Sequence, residues 1–192
     1  MARPSNRDQR RFEIVQSLIT VMAEHGYAKA TIPLIAKQAG LAPGLIHYHF
    51  KTKLSILFEL IQQVSATAEQ RYEDLASTAT IPEDKLKAFI DAQLATGDGE
   101  SPEAVAAWVV IGTEAIRQPE VREEYEKIIS QKKETLQGLL REVHGDGLSS
   151  AELKGRASIG LAAIEGAFQL SVAAEGVMPR GYAANSLLDL LV

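Results

Sequence analysis

The chain has 192 residues, room for one or two small domains with a real core at about 100–200 residues per domain, and its 46% apolar, 23% charged content is ordinary for a globular protein. It has no Cys, which removes disulfides, thiolate metal sites, iron–sulfur clusters and cysteine nucleophiles together. The net charge of −5 hides a split: residues 1–53 carry eight Lys and Arg against three Asp and Glu, a net of +5, and residues 54–192 carry twelve against twenty-two, a net of −10. A basic head on an acidic body is expected to bring only the head to a polyanion.

Helical periodicity runs along the chain and strand alternation is nearly absent, so the expected fold is all-α, with about nine helices. Phe12, Val15, Leu18, Ile19 and Met22 recur at helical spacing and predict a helix from about Asp8 to His25, stopped by Gly26. A short helix over Thr31 to Ala39 follows, with Thr31 as N-cap, Pro33 in its first turn and Gly40 as terminator. Ala42-Pro43-Gly44 opens a third helix that Phe50 closes, and Thr52 caps a long fourth from Lys53 to about Ser77. Pro82 starts a fifth, to about Thr96, followed by a loop at Gly97-Asp98-Gly99-Glu100. Ser101-Pro102-Glu103 starts a sixth that stops before Pro119, and a seventh covers about Glu120 to Val143. The capping-box pattern Ser149-x-x-Glu152 begins an eighth, to about Ala174, and Gly176 and Pro179 precede a last apolar segment, Gly181 to Val192.

The longest apolar stretch, Ser158 to Ala174, is broken by Glu165 and Gln169, so no membrane span of about 20 residues is expected. Met1 to Gln16 is polar and Arg-rich and lacks the apolar core of a secretory signal. A soluble cytoplasmic protein without membrane contact is the expectation.

Two short helices around a tight turn, inside a basic three-helix head, have the geometry of a helix-turn-helix that lays its second helix in the DNA major groove. The stretch Ala30-Thr31-Ile32-Pro33-Leu34-Ile35-Ala36-Lys37-Gln38-Ala39-Gly40-Leu41-Ala42-Pro43-Gly44-Leu45-Ile46-His47-Tyr48-His49-Phe50-Lys51-Thr52-Lys53 resembles the N-terminal DNA-binding domain of the TetR family of transcriptional regulators. Two positions depart from the family's pattern. Ala42 stands where Ser or Thr commonly caps the recognition helix, at a cost of about 0.5–2 kcal/mol that Pro43 at the first helical position offsets in part. His47 stands where Tyr is common, which passes the phosphate contact to neighbouring Tyr48.

From this resemblance and helix geometry, Pro43, Gly44, His47 and Tyr48 are assigned to base-edge or close groove contact. Thr31, Lys51 and Lys53 are assigned to phosphates, Thr31 from a helix N-terminus. Tyr48 and His49 are open to a second reading as partly core, and Leu45, Ile46 and Phe50 read as core. A metal site at His47-x-His49 fails because residues two apart do not share a helical face. No metal and no cofactor are expected.

The expected division is a DNA-binding domain over residues 1–53 and a ligand-binding and dimerisation domain over 54–192. Within the latter, Trp108 to Pro119 and Ala163 to Phe168 are similar to the choline-responsive BetI-type branch. Glu114 and Glu165 interrupt apolar stretches near Trp108 and Phe168. A buried carboxylate is costly unless paired, so each either meets a cationic ligand, with Trp108 offering a cation–π face, or faces solvent or pairs internally, for instance with Arg117. Trp108, Ile111, Glu114, Glu165 and Phe168 are the ligand-binding candidates. The eighth helix is apolar on two sides, Ile159, Ala163, Gly166 and Leu170 on one and Leu161, Ile164 and Phe168 on the other. It therefore needs two partners. With Leu187 and Leu191 of the last segment, Ile159, Gly166 and Leu170 are assigned to a twofold interface of four helices.

The function these features imply is a homodimeric repressor that binds double-stranded DNA at a palindromic operator and is released by a small-molecule effector. The alternative is a DNA-binding protein of the same fold without an effector. An enzyme is not expected: there is no H-E-x-x-H, phosphate loop, G-x-G-x-x-G or G-x-S-x-G, and His25, His47, His49 and His144 are scattered.

Overall fold

The computed structural model describes residues 6–94, 102–174, 176–179 and 181–192. Among these residues the regular structure is entirely helical: α1 (Asn6–His25), α2 (Ile32–Gln38), α3 (Pro43–His49), α4 (Lys53–Ala76), α5 (Pro82–Leu94), α6 (Pro102–Arg117), α7 (Pro119–His144), α8 (Ser150–Ala173) and α9 (Tyr182–Leu191), with a single 3-10 turn at Gly145–Gly147. The expected loop at Gly97–Glu100 and the cap at Ser101 lie outside the described residues.

The helix ends follow the local chemistry. Thr31 accepts from the Leu34 backbone N–H at 3.4 Å, whereas Ala42 caps α3 with no side-chain bond. Ser149 and Glu152 form the full capping box on α8, and the Ser149 hydroxyl and backbone N–H hold the Glu152 carboxyl below its usual range. Gly40 takes φ +64, the left-handed conformation that the tight α2–α3 turn demands and that L side chains rarely adopt.

The chain falls into two compact units, Met1–Val64 with Pro102–Glu124, and Ser65–Ser101 with Tyr125–Val192. This cuts across the division expected at residue 53, because α6 packs on α1 and so joins the N-terminal helices.

In the first unit, α1 packs against α2, α3 and α6, burying Ile14, Val15, Leu18, Ile19 and Met22 against Ile35, Ala36, Ile46, Phe50, Trp108 and Ile111 of the same core. Phe12, expected on the inner stripe, is 53% exposed. At roughly 100° per residue it lies about 120° around α1 from Leu18, past the edge of the buried face. Leu45, expected in the core, is also exposed: it shares a turn with Ile46 but points to the other side of α3.

In the second unit, α5, α8 and α9 pack on one another. Leu86, Phe89, Ile90, Leu136, Leu140, Leu153, Leu161, Ile164, Phe168, Leu187 and Leu191 form its core. A Cβ on Gly160 would come within 3.1 Å of both Leu136 Cδ2 and Leu191 Cδ1, so the glycine sits where neighbouring side chains close over the helix; at Gly155 and Gly166 a Cβ meets nothing within 4 Å. The end of α9 is held by two side chains, Arg156 Nη1 donating to the Leu191 carbonyl at 3.0 Å and the protonated Nε2 of His144 at 2.9 Å.

Candidate nucleic-acid interface and ligand pocket

The α3 helix has one anchored side and one open side. Ile46 and Phe50 are buried, whereas Pro43, Gly44, His47 and Tyr48 are exposed, Tyr48 at 73%. The partly-core reading of Tyr48 therefore fails, and that of His49 holds, since its ring is half-buried and meets the Tyr48 ring edge-on at 5.0 Å. Burial, and then the charges of Arg11, Arg7 and Arg10, push the His49 pKa down and favour neutral imidazole. Gly44 has an ordinary φ, and a Cβ there meets nothing in the protein, so nothing in the chain's own packing calls for glycine at this position.

Thr31 and Lys51 are exposed as expected. Lys53 is turned inward instead: its Nζ donates to the Tyr27 carbonyl at 2.7 Å and lies 4.1 Å from the centre of the Tyr27 ring. Burial lowers its pKa, and the Glu114 carboxylate opposes that shift. Tyr27 feels the same surroundings, its pKa pushed up to about 12 by burial and then by Glu114.

Sequence reasoning missed Arg11. Its Nη1 donates to the His49 carbonyl at 2.9 Å, its Nη2 pairs with Glu59, and its guanidinium lies 4.2 Å from the centre of the Phe50 ring. One side chain thus ties α1 to the end of α3 and to α4, which sets the angle at which the exposed face of α3 is presented. The sequence offers only one hint, an arginine a single turn before a buried helical stripe.

The five ligand candidates do not belong to one unit. Trp108, Ile111 and Glu114 are buried in the first, and Glu165 and Phe168 belong to the second. Glu114, 7% exposed, accepts a 2.7 Å hydrogen bond from Gln118 Nε2. Glu165 accepts from the Tyr125 hydroxyl at 3.0 Å, and burial, followed by the charge and hydrogen bond of Glu165, holds the Tyr125 pKa far above its ordinary value. The second unit contains a cavity lined by other residues, among them Glu69, Tyr72, Phe89, Gln93, Ile128 and Lys132 from α4, α5 and α7. Gln93 had a sequence signal, an amide one turn after Phe89 and so on the same side of the helix as that apolar ring. Lys132 had none, standing in a charged stretch that reads as a solvated face.

The interface candidates divide as well. Ile159, Gly166 and Leu170 are exposed on α8. Leu187 and Leu191, assigned to the same interface, are buried within their own unit and are not offered to a second copy; the exposed leucine of α9 is Leu190. Both helices carry large apolar side chains on their buried and on their exposed sides, so a 3–4 spacing of leucines could not reveal which of them remain outside.

Among the described residues no three His, Asp or Glu are grouped to hold a metal ion, and no helix is long and apolar enough to cross a membrane. A helix-turn-helix whose second helix is braced from behind and bare in front defines a DNA-binding regulator, a class the comparisons reach independently. Residues 14–60 match the model described as bacterial regulatory proteins, tetR family, and residues 82–191 match that of the BetI-type transcriptional repressor, C-terminal. The chain belongs to the TetR family of transcriptional regulators, in its BetI-type branch, and its relatives are regulators rather than enzymes.

It is similar to the fatty acid metabolism regulator protein of Bacillus subtilis, 29% identical over 187 residues that cover 94% of this chain and 92% of that protein. It is also similar to the transcriptional regulator BetI of Rhizobium meliloti, 30% identical over 113 residues, 59% of this chain and 55% of that one. The fold is shared with the regulator FadR of Bacillus subtilis in complex with stearoyl-CoA, with a TM-score of 0.75, 24% identity and coverage of 94% and 97%.

Proposed function

We propose that the protein represses transcription in the cytoplasm as a homodimer on a palindromic operator and leaves it when a small molecule occupies the body. Pro43, Gly44, His47 and Tyr48 meet base edges, and Thr31 and Lys51 hold phosphates. Lys53, expected among the phosphate ligands, acts by bracing the start of α4 against Tyr27. Residues 1–53 read DNA, and residues 54–192 sense the effector and pair the subunits.

The observation that carries this reading is the face of α3. Gly44 has no packing reason to be glycine and lies beside exposed Pro43, His47 and Tyr48, as close approach to a DNA groove requires. Pairing through Ile159, Gly166 and Leu170, with Leu190 alongside, is supported by their exposure and by the open space over Gly166. A twofold dimer carries two copies of α3, which reach successive major grooves if they stand about 34–36 Å apart.

The test is fluorescence anisotropy on the intergenic duplex beside the protein's own gene, titrated at several salt concentrations against a scrambled duplex. Preference for the native duplex, with affinity falling linearly in log salt, is the expected result. Equal, salt-insensitive binding to both duplexes would overturn the reading.

A further inference from the structure

Lys53 is the first residue of α4, two positions after exposed Lys51, at the junction that follows the recognition helix. A lysine there has a long flexible stem, and its ammonium can stay in water, meet a DNA phosphate or turn into the protein. It turns in. Its Nζ donates to the Tyr27 carbonyl at 2.7 Å and to the Ala28 carbonyl at 3.5 Å, and it lies 4.1 Å from the centre of the Tyr27 ring. Two carbonyls and a ring face offer partial charge only. Burial costs the ammonium more than its surroundings return, and its pKa stands below the ordinary lysine value.

The full charge that opposes this cost comes from far along the chain. Glu114 lies on α6, which packs against α1 within the same unit. Its carboxylate is buried and acts on both Lys53 and Tyr27. The carboxylate is also held in place. Gln118 Nε2 donates to Glu114 Oε2 at 2.7 Å and the Gln118 N–H donates to the Glu114 carbonyl at 2.8 Å. Arg122 then closes the end of α6, donating to the Ala115 and Ile116 carbonyls at 3.0 and 2.9 Å. A buried carboxylate whose hydrogen-bond donor is a neutral amide is costly unless a cation stands near it, and the Lys53 ammonium meets that need.

Resting on the reading of the chain as a DNA-binding regulator, we propose that Glu114 is a positioning residue that holds Lys53 away from DNA, so that a side chain of α6 withholds one phosphate ligand per subunit. Without the carboxylate, the half-buried ammonium keeps the cost of burial and loses the charge that opposes it. A phosphate beside Lys51, at the same exposed junction, then becomes the better partner for Lys53.

Operator affinity against log salt, followed by fluorescence anisotropy on the full chain, tests the proposal with Glu114→Gln. This change removes the charge while keeping the shape and an oxygen that accepts from Gln118. Release of Lys53 in both subunits of a dimer adds two phosphate contacts and is expected to steepen the slope of log affinity on log salt by about 1.8, at about 0.9 per contact. The ratio of variant to unsubstituted affinity then changes by about tenfold between about 50 and 200 mM salt. In a Lys53→Met background, Glu114→Gln is expected to leave the slope as it is. Circular dichroism and thermal unfolding confirm that each variant folds.

Acylation of lysines by an N-hydroxysuccinimide ester, located by mass spectrometry without DNA, gives a second readout. Lys53 is expected to react more slowly than Lys51 in the unsubstituted chain and to approach Lys51 in Glu114→Gln. The first of these comparisons does not depend on a variant folding, and Lys53 reacting as fast as Lys51 would overturn the proposal. So would an unchanged or shallower slope in Glu114→Gln, a loss of affinity at constant slope, or a steepening that persists without Lys53. Failure of the underlying reading looks different: the unsubstituted protein then binds native and scrambled duplexes equally and without salt dependence, whatever the acylation contrast. Selective, salt-dependent binding whose slope ignores Glu114→Gln defeats this inference alone.

Discussion

Arg11 joins three helices through one guanidinium, and its loss leaves the His49 carbonyl and the Glu59 carboxylate without that donor. Because the group is only partly buried, Arg11→Met is expected to destabilise the protein by about 1–2 kcal/mol, read as a lower denaturation midpoint at unchanged slope. Tyr27 makes a prediction about pH. Its pKa is raised above the unfolded value, to about 12, by burial and then by Glu114. Its contribution to stability is therefore complete below the ordinary tyrosine pKa of about 10 and is lost as pH climbs toward 12. Tyr27→Phe should flatten that alkaline limb of the stability curve, measured by urea unfolding at a series of pH values. Neither role is written in the residue type. An arginine near an N-terminus and a tyrosine after a glycine are unremarkable until α3 and α6 are folded beside them.

At the level of elements, the helix boundaries are the most legible part of the chain, because caps and terminators act within a turn of the residue that carries them. Thr31, Gly40, Phe50, Thr52 and the Ser149–Glu152 box mark the ends where expected. The missing cap at Ala42 was equally visible, and Ala42→Ser is expected to stabilise the protein by about 0.5–1 kcal/mol, measured by the same denaturation. The glycines of α8 look alike in sequence and differ in the fold. Gly155 faces open space, so Gly155→Ala should stabilise by about 0.5–1 kcal/mol through helix propensity. Gly160 is closed over by Leu136 and Leu191, and Gly160→Val should cost about 1–3 kcal/mol by overpacking. Thermal unfolding of the two variants should move in opposite directions.

For the whole molecule, the exposed apolar line of α8 is the feature that a single chain leaves unfinished. Ile159 is 61% exposed, so Ile159→Asp should leave the fold intact while abolishing self-association, seen by sedimentation equilibrium. Operator affinity should fall with it, since one recognition helix then binds without the other. The sequence by itself determined an all-helical chain, a basic helix-turn-helix head on an acidic body, and the exposure of Pro43, Gly44 and His47 on α3, while the exposure of Leu45 and Tyr48 there was decided by the fold. The former follow from local periodicity, capping and charge, which act over a few residues. Only the tertiary structure decided that Lys53 turns in to Tyr27, that Arg11 clamps α3, that Leu187 and Leu191 are core while Leu190 is not, and that the cavity is lined by Gln93 and Lys132. Those outcomes depend on how each helix is rotated against neighbours tens of residues away. That rotation is set by the interlocking of side chains from several helices at once, which no period within one helix records.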